Sequence, residues 1–164
     1  MHLSAQATYD AGPDRVAVMF ADPEFVRIKV LATGATAQTV DVAGTAAGAF
    51  TVTTRRQMPT TDVPPQFRAL VGGNLEIREV QAWQAASGDT RHGTIVVEVT
   101  GAPVRLTGTM RMTSPRAGVT AMEISADLKA SIPFFASAVE KAIADAMHSA
   151  IRAEEDAGAA WLSR

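Results

Sequence analysis

Cysteine is absent from the sequence, so the chain must hold its fold without disulfide bonds. Long apolar runs are absent as well, because no stretch approaches the roughly 20 residues of a membrane-spanning helix. The N-terminus lacks a basic segment followed by a continuous apolar core, which is the pattern of a secretory signal. We therefore predict a cytoplasmic protein that folds as one domain over residues 1–164, since this length is enough to bury a substantial core.

Positive charge is scarce too. The formal net charge is -2, and the nearest candidate for a basic patch is the short pair Arg55-Arg56. Proteins that bind nucleic acid in general need a basic stripe that displaces counterions from phosphate. We therefore predict no nucleic-acid partner.

Signatures of catalysis and of metal binding are also missing. The three histidines, His2, His92 and His148, fall at a strand start, a turn exit and a polar helix face, which suits neither a metal cluster nor a catalytic dyad. The glycine-containing stretch 44–48 has no lysine and no strand-to-helix context, so it does not match a phosphate-binding loop. We predict no cofactor and no metal.

The longest pattern that is present is a helix near the C-terminus. Pro133 suits a first helical turn, and the pattern predicts a helix over 133–161, about 40 Å long, whose apolar face must be covered by another element. The apolar row comprises Phe135, Val139, Ile143, Met147 and Ile151; a second row comprises Ala138, Ala142, Ala146 and Ala150; and Lys141, Asp145, His148 and Arg152 lie opposite.

Most of the remaining chain shows the two-residue alternation of strands with one buried face. Two short helices with proline in the first turn are predicted from Pro13 and from Pro23, the second ending at Leu31. Residues 60–73 are predicted to be a loop with one turn of helix, and residues 114–118 a turn. The predicted strands are 2–9, 36–42, 49–58, 75–83, 95–99, 104–112 and 120–129. The fold class is therefore α+β: a seven-stranded antiparallel curved sheet on a long C-terminal helix, with two short helices between strands 1 and 2.

This order of elements resembles the helix-grip fold of the START and birch-pollen-allergen superfamily (SRPBCC) over nearly the whole chain. Within that superfamily, the sequence is similar to an uncharacterised bacterial family of unknown function. Ala136 departs from the pattern, which would have glycine there. The resemblance implies an apolar small-molecule ligand between the concave sheet and the long helix. The likeness to the bacterial family is carried by Asp22-Pro23-Glu24-Phe25, Arg55-Arg56 with Pro59, Trp83, Gly101-Ala-Pro103, Gly108, Ile132-Pro133, Glu140 and Trp161-Leu162.

The residues that face the predicted interior are candidates for ligand binding. Methionines, the alanine row and the mid-strand Gly108 are small or adaptable, which favours room for a ligand; close packing without a cavity is the alternative. Phe134 and Phe135 are predicted to gate the space. The apolar candidates are Trp83, Leu106, Met110, Met122, Phe135, Val139, Ile143 and Met147.

Three polar residues, Arg56, Glu79 and Gln81, have the strand parity of the inward face. An isolated buried charge is costly, so we predict that Arg56 pairs with Glu79 and fixes the polar end of a ligand. The alternative is a bulge or strand end that turns these residues outward. Trp83 would either stack on the ligand or belong to the core. On the helix, Glu154 and Glu155 are expected at the surface, where Arg152 can reach Glu155 or Asp156.

The leading functional interpretation is a carrier or sensor of a lipid-like or polyketide-like molecule. One alternative is a polyketide cyclase or aromatase-like enzyme, in which Arg56, Glu79 or Tyr9 orients an enol or carbonyl. Another is a non-enzymatic partner-binding module with a filled core. Phe67 and Leu70 would give at most transient membrane contact, because no basic cluster accompanies them. We expect a monomer or a weak dimer; the sequence leaves the identity of the ligand open.

Overall fold

The computed structural model describes residues 1–61 and 63–164. Within this part of the chain, the strands form one seven-stranded antiparallel sheet in the order β1-β7-β6-β5-β4-β3-β2. The predicted α+β helix-grip architecture, with two short helices between the first two strands, is confirmed. In chain order the elements are β1 (His2–Tyr9), α1 (Pro13–Phe20), α2 (Pro23–Ala32), β2 (Ala37–Gly44), β3 (Phe50–Met58), α3 (Pro65–Val71), β4 (Leu75–Trp83), β5 (Arg91–Val99), β6 (Val104–Arg116), β7 (Val119–Ala130) and α4 (Ala136–Leu162).

The alternation of small apolar and polar residues explains the position of β1. Leu3, Ala5, Ala7 and Tyr9 are buried, while the residues between them are exposed. The strand pairs antiparallel with β7, with Ala7 opposite Met122. The first strand therefore lies beside the last one, and its inward side chains face α4.

The two short helices begin where the sequence predicts. Each has proline in its first turn, and the Asp22 carboxylate caps α2 by accepting the Glu24 N–H at 2.8 Å. In α2 the apolar residues Phe25, Val26 and Val30 are buried as expected, and so is Lys29. The burial of this lysine was not predicted from the sequence.

The start of the long helix differs from the prediction. Helix α4 begins at Ala136 instead of Pro133, because Phe134 has a φ of 67°, in the left-handed region that interrupts a right-handed helix. The expected alanine row also faces elsewhere: Ala138, Ala142 and Ala146 are exposed, and only Ala150 is half-buried. The alanine row is therefore not a seam between the helix and the sheet.

Two connections are also corrected. Strand β6 continues through Pro115 to Arg116, with a register irregularity between Thr113 and Arg116, so the predicted turn shrinks to 117–118. Gly118 supports this tight connection with a φ of 74°. The predicted loop over 60–73 contains the seven-residue helix α3; Asp62, which belongs to that loop, lies outside the described residues.

Helix α4 covers only part of the sheet. It packs mainly on α2, β1 and β7, and the core extends from these elements to α1 and to the buried inward residues of β3 to β6. The inward faces of β4 and β5 lie farther along the sheet, and their residues Ile77, Val97 and Val99 remain half-exposed. No described helix is long and apolar enough to span a membrane.

Candidate functional site

A polar group lies on the inward face of β3 and β4. The register places Thr54 opposite Glu79 and Arg56 opposite Ile77, so all of these residues share one face. The Arg56 Nη1 donates to Glu79 Oε2 at 3.2 Å, and the Gln81 Nε2 donates to Glu79 Oε1 at 2.7 Å. The side chains of Arg56 and Glu79 are only 12% and 14% exposed. The predicted inward pair is present, and its role in ligand binding stays a prediction.

A second buried ion pair joins α2 to α4. Lys29 Nζ lies 2.7 Å from Glu154 Oε2, and the Tyr9 hydroxyl donates to Glu154 Oε1 at 2.9 Å. Lys29 also lies over the ring of Phe20, 5.1 Å from its centroid. Both oxygens of the Glu154 carboxylate are therefore engaged inside the protein.

The expectation of a surface position is wrong for Glu154, and the expected contact of Arg152 with Glu155 or Asp156 is replaced by another. Glu154 is buried against α2 and β1, and Glu155 accepts the backbone N–H of Thr8 at 2.7 Å. Arg152 instead donates to the hydroxyl of Ser149 at 3.2 Å. The spacing of charged residues identifies neighbours within a helix, whereas the side that another element covers is indicated by the apolar residues one turn away.

The two pairs form one electrostatic unit. Burial by itself would raise the pKa of Glu79, but Arg56 and then Lys29, together with hydrogen bonds from Gln81 and Arg56, bring that pKa below its ordinary value. Lys29 therefore acts on the carboxylates of both pairs. We call this set the interior polar cluster; it comprises Tyr9, Lys29, Arg56, Glu79, Gln81 and Glu154.

The tyrosine of the cluster is held in its protonated form. Burial is the main reason that the pKa of Tyr9 is raised, and the nearby carboxylates of Glu154 and Glu155 add to the effect. The hydroxyl therefore remains a hydrogen-bond donor at neutral pH. The cluster as a whole contains two cations, two carboxylates and one neutral phenol.

Four buried polar atoms on β3 and β4 have no hydrogen-bond partner within the described part of the chain. They are Thr54 Oγ1, Arg56 Nε, Gln81 Oε1 and Trp83 Nε1. The Arg56 and Trp83 nitrogens can only donate, the Gln81 oxygen can only accept, and the Thr54 hydroxyl can do either. Buried polar atoms are normally paired, so these atoms indicate a place for water or for ligand oxygens.

The predicted apolar lining residues fall into two groups. Trp83 packs between Phe20 and Phe50, with ring centroids 6.3 and 6.4 Å away, and belongs to an aromatic core. Phe135 is 42% exposed, and its ring meets Phe67 of α3 edge-on at 5.6 Å. Of the other candidates, Leu106, Met110, Met122 and Val139 are buried, while Ile143 and Met147 are half-buried.

The role expected for Gly108 needs correction. A Cβ at this position would collide with the Ser125 carbonyl oxygen and with Ala126 on the neighbouring strand. The missing side chain thus allows β6 and β7 to approach closely, and it does not indicate space for a ligand. The accessible part of the inner face lies instead along β4 and β5, where Ile77, Val97 and Val99 are half-exposed.

Two residues that were not predicted as important from the sequence, Lys29 and Arg91, and one that was expected at the surface, Glu154, prove to be structurally important. Lys29 lies one turn from Phe25 and Val26, and Glu154 lies one turn from Ile151, so each occupies a buried helical stripe that its spacing could have revealed.

Arg91 has a structural role. Its guanidinium is buried and donates to the carbonyls of Ala46, Gly48 and Gln84, which anchors the β2–β3 hairpin connection to the end of the sheet. Burial lowers the pKa of Arg91, and the charge of Asp14 opposes this effect. All of its described bonds go to backbone oxygens, so we do not place it in the candidate site.

Comparison with known proteins supports the fold. A family model described as "Protein of unknown function (DUF2505)" matches residues 4–162, and no protein with a curated description matches the sequence. The structure is similar to TTHA0849 from Thermus thermophilus, with 16% identity, a TM-score of 0.63, and coverage of 96% of this chain and 97% of that chain.

Two further solved structures are similar to the protein over most of its length. Ara h 8.0201 has 11% identity and a TM-score of 0.56, with coverage of 100% of this chain and 99% of that chain. The di-domain ARO/CYC protein BexL from the BE-7585A biosynthetic pathway has 16% identity and a TM-score of 0.56, with coverage of 95% and 45%. At such identities the likeness concerns the fold alone, and it confirms the predicted helix-grip fold.

Proposed function

The chain belongs to the DUF2505 family of unknown function, and we propose that it is a carrier or sensor of an apolar small molecule held between the sheet and α4. The observation that carries this proposal is the partly uncovered end of the inner face of β4 and β5, beyond the buried Gln81, Trp83 and Ile95. Its residues Ile77, Val97 and Val99 are half-exposed although their parity points inward. They lie beside a buried polar cluster, and a few polar groups in an apolar surround are typical of a small-molecule site.

The proposed lining joins the uncovered face to the candidates taken from the sequence. Glu79 is the neighbour of Val97 across the β4–β5 register, so the polar cluster and the half-exposed valines are adjacent. On α4, Ile143 and Met147 are half-buried as well. The proposed ligand-contacting residues are Arg56, Glu79, Gln81, Trp83, Leu106, Met110, Met122, Phe135, Val139, Ile143 and Met147, together with Ile77, Val97 and Val99.

An aromatase/cyclase-like enzyme is the second candidate, since the similar BexL is an ARO/CYC protein. A general acid or base works best when its pKa lies near the working pH. In this interior the pKa of Glu79 is lowered and that of Tyr9 is raised, so both are moved away from neutrality. The cluster is therefore better suited to holding a ligand than to transferring protons.

The first test measures binding of the uncharged fluorescent probe N-phenylnaphthylamine to the purified protein. We expect saturable fluorescence enhancement and a rise in melting temperature with probe concentration, because a ligand that binds only the folded state stabilises it by mass action. Native mass spectrometry of the same preparation is expected to reveal any co-purified apolar molecule. A protein with a filled interior would give neither saturable enhancement nor a thermal shift.

A matched pair of variants locates the site. Val97 faces inward and Val96 faces outward on the same strand, and both are half-exposed. Val97→Trp should fill the uncovered face and abolish probe binding, whereas Val96→Trp should leave it intact. Circular dichroism and a cooperative melting transition confirm that both variants are folded. Equal binding by the two variants would contradict the proposed location.

A further inference from the structure

We propose that the molecule bound in this interior is electrically neutral and carries hydroxyl or carbonyl oxygens spaced along its length. Anionic lipids such as free fatty acids are thereby disfavoured. This inference rests on the proposed function and specifies the chemistry of its ligand. It is drawn from the charge balance of the interior and from the four unpartnered polar atoms.

Each buried cation of residues 1–61 and 63–164 already has a carboxylate or backbone carbonyls as partners. Lys29 is paired with Glu154 at 2.7 Å, and Arg56 is paired with Glu79 at 3.2 Å. Arg91, the remaining buried cation of the described residues, is engaged by three backbone carbonyls. A buried carboxylate or sulfonate that accepted from the free Arg56 Nε–H would have to share the charge of that guanidinium with Glu79, and it would leave the interior with an uncompensated negative charge, which is costly in a medium of low polarity.

The unpartnered atoms match neutral oxygen groups instead. The Arg56 Nε–H and the Trp83 Nε1–H each need an acceptor, and the Gln81 oxygen needs a donor. Because the amide nitrogen of Gln81 already donates to Glu79, its oxygen is the atom that remains free. A carbonyl oxygen would satisfy one of the nitrogens, and a hydroxyl group could both accept from a nitrogen and donate to Gln81.

The positions of these unpartnered atoms imply that the ligand carries more than one oxygen. Trp83 lies opposite Phe50, Gln81 opposite Val52, and Arg56 opposite Ile77, so the row follows the strand direction. The backbone levels of Trp83 and Ile77 are six residues apart, and the Arg56 side chain reaches back from the level of Ile77 to Glu79. Four residues, roughly 13 Å at the rise of a strand, then separate the levels of Glu79 and Trp83. A single polar headgroup cannot serve both ends of this row, whereas an extended or polycyclic molecule with several oxygens can.

The test uses three probes built on one scaffold, which displace N-phenylnaphthylamine at neutral pH. They are trans-stilbene, the neutral trihydroxylated stilbene resveratrol, and trans-stilbene carboxylic acid, which is ionised. We expect resveratrol to compete at a concentration at least about tenfold lower than either of the others, which corresponds to about 1.4 kcal/mol. Equal or stronger competition by the carboxylic acid overturns the inference.

Two variants test the polar row itself. Thr54→Val removes the unpartnered hydroxyl with almost no change of shape, and Thr53→Val makes the same change on the outward face of the same strand. Trp83→Phe removes the indole N–H. Thr54→Val and Trp83→Phe should reduce the preference for resveratrol over trans-stilbene, and Thr53→Val should preserve it.

The outcomes separate this inference from the proposed function. If N-phenylnaphthylamine binds but both Thr54→Val and Trp83→Phe retain the full preference for resveratrol, bound water satisfies the row and the inference is wrong. If N-phenylnaphthylamine does not bind the wild-type protein at all, the proposed function fails, and the ligand chemistry inferred from it fails with it.

Discussion

Tyr9 connects three elements of the interior. Its ring meets Phe20 edge-on at a centroid distance of 5.7 Å, and its hydroxyl donates to Glu154 of α4 at 2.9 Å. The phenol is thus held both by packing and by a hydrogen bond to a carboxylate, which is a stronger acceptor than a neutral group. The folded structure therefore keeps the Tyr9 hydroxyl protonated, because the proton is donated to Glu154.

Titration of Tyr9 gives a residue-specific prediction, because it is the single tyrosine of the chain. The pKa of Tyr9 is raised above the ordinary value of 10.0, first by burial and then by the Glu154 carboxylate. The ultraviolet absorbance of tyrosinate should therefore be absent at pH 10 in the folded protein and should appear only with alkaline unfolding. The unfolded protein in denaturant is the control, and it should titrate near the ordinary value. A folded protein that titrates like the control would contradict the buried position.

Among the single elements, α4 is fitted to its neighbours at both ends. Near its start, Glu140 accepts the backbone N–H of Ala130 at 3.0 Å, which ties the helix to the end of β7 and lowers the pKa of Glu140. Near its end, Gly158 is buried and lies against the ring of Tyr9. These contacts set the position of the helix on the sheet.

Gly158 provides a prediction for this helix. A Cβ at this position would lie 2.8 Å from Tyr9 Cε1 and 3.3 Å from the terminal methyl carbon of Met19. Gly158→Ala should therefore lower the melting temperature, although alanine is favoured over glycine in a helix by about 1 kcal/mol. The exposed Ala160 serves as the control: Ala160→Gly should destabilise by about 1 kcal/mol through helix propensity alone. A rise in the melting temperature of Gly158→Ala would show that the helix is not held against Tyr9.

Across the whole molecule, one buried ion pair lies within the sheet and the other lies between two helices. Arg56 and Glu79 lie on β3 and β4, while Lys29 and Glu154 lie on α2 and α4. The charge of Lys29 also lowers the pKa of Glu79, so the layers are coupled electrostatically. Removing one charge from such a buried set leaves its partner uncompensated, which is more damaging than the loss of an exposed pair.

The pH dependence of stability follows from the sign of the Glu79 shift. The pKa of Glu79 in the folded protein lies below the ordinary value of 4.5, so the unfolded chain takes up a proton more readily. The stabilisation that ionised Glu79 contributes to the folded protein is complete above pH 4.5. It is lost as the pH falls through the pKa of Glu79 in the folded protein. Denaturant unfolding at a series of pH values should show this loss.

Glu79→Gln is the variant for this measurement. It should be less stable than the wild type at neutral pH, because the buried Arg56 loses its counter-charge. The difference in the free energy of unfolding between the two proteins should become smaller toward acid pH, because Glu79 of the wild type becomes protonated. Asp145→Asn, in the exposed pair with Lys141, should leave the profile close to that of the wild type. If the free energies of unfolding of Glu79→Gln and the wild type differed by the same amount at all pH values, the pKa of Glu79 would not be lowered by folding.

Features that depend on local periodicity could be predicted from the amino-acid sequence. Alternation places Arg56, Glu79 and Gln81 on the inward face, and strand parity suffices for this because neighbouring strands share the same two-residue repeat. The strands, the cap at Asp22 and the order of elements follow from patterns of a few residues. These patterns predicted the antiparallel sheet and the long C-terminal helix, and the helix-grip fold was implied by the resemblance of their order to a known superfamily.

The contacts between distant faces required the folded structure. The pairing of Lys29 with Glu154 joins residues 125 positions apart, and no local period specifies such a partner. In the same way, the exposure of Ala138, Ala142 and Ala146 and the half-exposed inner face near Val97 depend on where α4 lies across the sheet. That position results from the packing of α4 on α2, β1 and β7, which is a property of the assembled core and not of any one segment.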